Sequence, residues 1–240
     1  MCGDTAQEAG YIDITGTKDA HYFYWQFESR SDAANDPVVL WMTGGPGCSS
    51  GVALFHENGP CKVNADHKTT HLNPYAWNNN ATLIYVDQPV GVGFSYSHDP
   101  SDALHGEIGV AEDMYAFIQE WLKANPKFAK NELFIFGESY GGHYAPSVAH
   151  AVLVGNLEKK GAHVNLGGLG VGNGLTDPLV QYQYYAQMAY NYSEAKIGHP
   201  VISLQAYENM VAAWPGCKKQ IATCNTPPVG SHDGACQMAR

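Results

Sequence analysis

Apolar positions along the chain fall into short continuous runs separated by one long stretch of helical spacing, and this alternation sets the first expectation for the fold. His21 to Phe27 is rich in aromatic residues and bounded by turn residues, which predicts one strand of a leading hairpin. Val38-Val39-Leu40-Trp41-Met42 is continuously apolar and runs straight into Gly44-Gly45-Pro46-Gly47, the pattern of a buried strand that delivers a loop. Leu83 to Val86 repeats it ahead of Asp87-Gln88-Pro89. From Gly109 to Leu122 the residues Val110, Met114, Phe117, Ile118, Trp121 and Leu122 recur at helical spacing, and Asn125-Pro126 ends the segment. Leu133 to Phe136 predicts a short buried strand, Tyr144 to Val154 a helix, and Leu166 to Val171 another strand. Such alternation implies an α/β fold, with a mostly parallel sheet covered by helices on both faces.

After Asp177-Pro178 the pattern changes to an aromatic polar stretch, a helical segment near Val201 to Trp214, and a Gly/Pro-rich loop holding Cys217, Cys224 and Cys236. Residues 1–178 are therefore expected to form the sheet core. Residues 179–240 are expected to begin an insertion or cap over the carboxyl ends of the strands, where α/β enzymes place their binding crevice.

Composition narrows the partners. With 23 acidic against 13 basic residues the formal charge is −10, which argues against a nucleic-acid surface and against attraction to an anionic membrane. No apolar run reaches the ~18 residues of a membrane-spanning helix. Met1-Cys2-Gly3-Asp4 shows no basic-then-apolar leader. Six cysteines predict oxidised loops, with the pairing left open, and they lack the paired CxxC spacing of a zinc site. The sequons at Asn80 and Asn191 fit a secretory route as possible N-glycosylation sites.

Gly137-Glu138-Ser139-Tyr140-Gly141 matches the G-x-S-x-G elbow and lies between a predicted strand and a predicted helix, as that motif requires. Small neighbours let the backbone turn sharply, so Ser139 is the candidate nucleophile and the Tyr140 N–H a candidate oxyanion donor. A glycine-rich turn with an ordinary serine is the alternative. Gly44 to Gly47 offers N–H groups unshielded by side chains, suited to a second oxyanion donor or to a plain tight turn.

Five blocks carry a resemblance. They are Trp41 to Ser50, Glu57-Asn58-Gly59-Pro60, Asp87 to Ser95, Gly137 to Tyr144, and Gly172 to Pro178. In this order they resemble the serine carboxypeptidases of the α/β-hydrolase superfamily. The resemblance implies release of C-terminal amino acids from peptides at acidic pH, in a lysosome-like or vacuolar compartment or outside the cell, without a cofactor. It implies Gly45 and Tyr140 as oxyanion donors. It also implies a site for the substrate's terminal carboxylate built from Trp41, Thr43, Gly44, Glu57 and Glu138. Thr43 departs from the family's asparagine and offers a hydroxyl of shorter reach. Two carboxyls in contact cannot both ionise cheaply, so the Glu57–Glu138 pair would keep a proton to share with an anion.

The hydrolase order asks for an Asp and a His after Ser139. Asp177, Asp233, His143, His150, His163, His199 and His232 are the residues available, and none fits either role. The chain thus ends before the family's later strands, acid and base, and is expected to be inactive alone, with a complementary C-terminal chain or a homodimer partner to complete it. A related acyltransferase and a non-catalytic protective or binding homologue remain as alternatives.

Overall fold

The computed structural model describes residues 2–103 and 106–226. They fall into two units, divided between Gly174 and Leu175.

In the first unit the aromatic-rich β2 (His21–Phe27) pairs with β1 (Gln7–Asp13), a run of mixed composition, as an antiparallel hairpin. After β3 (Val38–Met42) the chain makes the short helix α1 (Gly51–His56) and a small hairpin, β4 (Cys61–Val63) with β5 (Thr70–Leu72). Strand β6 (Thr82–Val86), helix α2 (Glu107–Ala124), strand β7 (Leu133–Glu138), helix α3 (Gly141–Glu158) and strand β8 (Leu166–Gly172) follow. The main sheet has the order β1-β2-β6-β3-β7-β8. Its pairings from β6 through β3 and β7 to β8 are parallel, and the β2–β6 pairing is antiparallel.

Central strand β3 is buried at all five positions, which explains why its sequence is apolar throughout and does not alternate. Leu40 and Met42 pack with Met114, Phe117 and Val148 of α2 and α3. Val39 and Trp41 face the opposite layer, with Ala53 and Leu54 of α1 and a buried disulfide between Cys2 and Cys61. At the β8 edge the strand is rich in glycine because the β7 aromatics occupy the space above it. A Cβ at Gly170 would lie 2.1 Å from the Phe136 ring.

The second unit holds α4 (Pro178–Gln187), a π-helical turn from Met188 to Tyr192, α5 (Ser193–Ile197) and α6 (Leu204–Cys224). Here the structure corrects the sequence reading. The aromatic polar stretch is helical, capped by Asp177 with Pro178 in its first turn, and Cys217 and Cys224 lie on α6 rather than in a loop. The helical segment expected near Val201 to Trp214 continues to Cys224, with Pro215 inside α6. A proline removes one hydrogen bond, and the turns on either side together with packing against α4 outweigh it. Cys236 lies outside the described residues. Helix α1 and the β4–β5 hairpin also escape a sequence reading, being too short to display a period.

No helix among the described residues is long and apolar enough to cross a membrane. Leu40 is fully buried at the centre of the sheet, between both helices and the neighbouring strands. Leu40→Ala is expected to lower unfolding free energy by about 2–5 kcal/mol, measured by urea denaturation of the whole protein.

Candidate active site

Strand β7 ends at Glu138 and α3 begins at Gly141, so only Ser139 and Tyr140 make the turn between them. Ser139 takes φ +58°, the left-handed region that costs a side-chain-bearing residue roughly 1–3 kcal/mol. Neighbouring hydrogen bonds hold it there: Ser139 N–H donates to Gly172 O at 3.1 Å, and Ser139 O accepts from Gly142 N–H at 3.0 Å. The side chain is exposed at the carboxyl end of the parallel strands.

The Gly-rich loop after β3 presses against this turn. A Cβ on Gly44 would come 2.4 Å from Tyr140 N and 2.6 Å from Glu138 O, both backbone atoms that cannot swing aside. Gly45 has φ +116° and is exposed. Asp87, buried at the end of β6, fixes the loop's far side: Oδ1 accepts from Ser49 Oγ at 2.6 Å and Ser50 N–H at 3.1 Å, and Oδ2 from Phe94 N–H at 2.9 Å. Ser50 Oγ donates to Val86 O at 2.7 Å. A buried carboxylate with three donors stitches the loop to the strand beside it.

Beside the elbow, Glu57 at the end of α1 meets Glu138 at the end of β7, and their carboxyls are hydrogen-bonded. Burial, then the Glu138 hydrogen bond and charge, push the Glu57 carboxyl up to about 7. Tyr85 is pushed up as well, by burial and by the Glu57 charge, and its hydroxyl donates to Asn58 Oδ1 at 2.9 Å. Trp41 Nε1–H donates to Thr43 Oγ1 at 3.2 Å, and the Trp41 ring packs edge-on to Trp77 with centroids 5.3 Å apart. With one lone pair engaged by the indole, the Thr43 hydroxyl keeps its own proton to donate.

The first unit therefore assembles Ser139, Tyr140, Gly44, Gly45, Glu57 and Glu138 at the ends of β3 and β7, with Trp41 and Thr43 paired at the end of β3. Sequence reasoning passed over Asp87 and Tyr85 as individuals, although both fall in or beside a quoted block. Nothing in an aspartate followed by Gln-Pro announces that its oxygens will meet Ser49 and Ser50.

The residues weighed as acid and base behave otherwise. Asp177 is spent on capping α4, accepting from Leu179 N–H at 3.0 Å. The His143 ring stacks on Tyr140 with centroids 4.6 Å apart, and His150, His163 and His199 are exposed. His232 and Asp233 lie outside the described residues. Within the first unit the Ser139 hydroxyl has no histidine or carboxylate partner among the described residues. Asn80 and Asn191 are both exposed.

A family model for serine carboxypeptidases matches residues 3–231. The chain belongs to that family. It is 45% identical over 224 residues to a serine carboxypeptidase-like protein of Oryza sativa subsp. japonica, covering 93% of this chain and 50% of that one. To the vacuolar serine-type carboxypeptidase ATG42 of Saccharomyces cerevisiae it is 45% identical over 225 residues, covering 92% of this chain and 41% of the relative. The crystal structure of Kex1, a prohormone-processing carboxypeptidase of the same yeast, superposes with a TM-score of 0.78 at 26% identity, covering 97% of this chain and 52% of that one. The α/β-hydrolase fold of the chain is thereby shown, and the chain spans about half the length of the curated relatives it matches.

The Glu57 carboxyl is expected to titrate near pH 7 by ¹³C NMR. Glu138→Gln should lower that value yet leave it above the ordinary 4.5, because burial, the larger cause, remains. Since the folded state favours the protonated group, its contribution to stability is complete below pH 4.5 and is lost as pH rises through about 7. Glu57→Gln should flatten that decline in thermal stability.

Proposed function

We propose that the whole protein is a serine-type carboxypeptidase that releases C-terminal amino acids from peptides through an acyl-enzyme. The observation that carries the reading is the juxtaposition of a serine in a left-handed strand-to-helix turn with a hydrogen-bonded carboxyl pair whose Glu57 member is pushed up to about 7. Ser139 Oγ attacks the last peptide carbonyl, and the Tyr140 and Gly45 N–H groups stabilise the oxyanion. The amine of the terminal residue then leaves, and water hydrolyses the ester. The terminal carboxylate is held by Trp41, Thr43, Gly44, Glu57 and Glu138. A protonated Glu57–Glu138 pair can donate to an anion where two ionised carboxylates would repel it. The histidine and aspartate that would activate Ser139 are assigned to no described residue. The exposed β8 edge, with Leu169 and Val171 half-exposed, suits pairing with a further strand of the whole protein or of a partner chain.

An acidic, vacuole-like or extracellular location is supported by the protonation of Glu57 below about 7, by the Cys2–Cys61 disulfide and by the exposed sequons at Asn80 and Asn191. The vacuolar yeast relative points the same way. The Glu57–Glu138 pair favours a peptide with a free terminal carboxylate over acyl transfer to an alcohol.

In the whole protein, Ser139→Ala is expected to lower kcat toward a blocked dipeptide at acidic pH by on the order of 10⁶, and retention of a tenth of the activity would end the assignment. KM of the parent should rise with pH as the Glu57–Glu138 pair loses its proton, through about pH 7. Glu57→Gln, which donates without a titrating proton, should flatten that curve, and an unchanged curve would remove the carboxyl pair from the site.

A further inference from the structure

The side chain of Tyr140 is anchored at a distance from the elbow. Its Oη donates to Glu107 Oε1 at 2.5 Å, across to helix α2. Glu107 is the first residue of α2, where the aligned peptide dipoles favour a negative charge, and no side chain caps that terminus. The Tyr140 ring is further confined by two residues of the first turn of α3. His143 stacks on it at 4.6 Å and 8°, and Tyr144 meets it edge-on at 5.2 Å.

This anchor bears on the neighbouring backbone. Ser139 is held at φ +58°, and the readiest relaxation of that strain is rotation about the bonds flanking the Ser139–Tyr140 peptide. The same rotation would swing the Tyr140 N–H, the group assigned to the oxyanion. Tyr140 O is fixed by His143 N–H at 2.9 Å, so the α3 side of the residue is already tied, and the phenol is tied to a different element. Ser139 O, on the same peptide as the Tyr140 N–H, accepts from Gly142 N–H at 3.0 Å, so the phenol anchor adds a second hold, at the Tyr140 Cα end of that peptide.

We infer that Glu107 is a positioning residue, one that fixes the Tyr140 N–H by holding the Tyr140 phenol. Its effect on rate rests on the carboxypeptidase reading; its effect on backbone order does not. In the whole protein, Glu107→Ala should lower kcat roughly tenfold while KM stays within about twofold, the signature of a misplaced oxyanion donor. Glu107→Gln retains an oxygen to accept from Oη and should restore most of that loss. Tyr140→Phe keeps the N–H but removes Oη, so it should match Glu107→Ala, and the double variant should be no worse than either single one. Amide hydrogen exchange across Ser139 to His143 should quicken roughly tenfold in Glu107→Ala and Tyr140→Phe and stay at the parental rate in Glu107→Gln. Parental kcat and exchange in Glu107→Ala, or losses that add in the double variant, would overturn the inference. Ser139-independent turnover in the parent would instead remove the carboxypeptidase reading, and the exchange rates would still decide whether Glu107 orders the elbow.

Discussion

The close approach of Gly44 to the turn at Ser139 is the contact on which the rest of the site depends. A parallel sheet places the ends of β3 and β7 side by side, and the loops that leave them must share a space into which no Cβ fits. This proximity brings the loop of Gly44 and Gly45 against the strand that ends in Glu138. It also leaves Ser139 in the left-handed region, since the chain must reverse from strand to helix within two residues. Strain of that kind persists only where surrounding bonds over-determine it. Those bonds run to Gly172 on β8, to the first turn of α3 and, through Tyr140, to α2.

Electrostatics in the site follow from the same crowding. Glu57 and Glu138 meet because α1 and β7 converge beside the elbow, and partial burial makes the ionised state of Glu57 unfavourable before any partner is counted. Asp87 is the contrasting case. It is more deeply buried than Glu57 and accepts from Ser49 Oγ and from the Ser50 and Phe94 N–H groups, so it serves as a tether for the Ser49–Ser50 segment. One carboxyl is thereby suited to hold a proton and the other to organise backbone.

What could be read in the sequence was what short-range pattern encodes. The continuous apolar runs of β3 and β6, the helical spacing of α2 and the G-x-S-x-G turn between β7 and α3 all rest on local geometry, and all appear at their expected places within a few residues. Element ends were less legible. Helix α3 begins at Gly141 although the apolar pattern starts only at Tyr144, because the elbow leads straight into the helix. Helix α6 runs through Pro215 for a tertiary reason that no propensity contains.

The sequence by itself determined the α/β class, the position of the serine elbow and the identity of the glycine-rich loop, since period and turn chemistry act over a few residues. Only the tertiary structure decided which side chains converge. The Cys2–Cys61 link, the donors around Asp87, the Trp41–Thr43 hydrogen bond and the Glu107–Tyr140 anchor join different segments or depend on rotamer and packing. Such contacts follow from strand order and from the space left between layers, and a linear pattern holds no record of either.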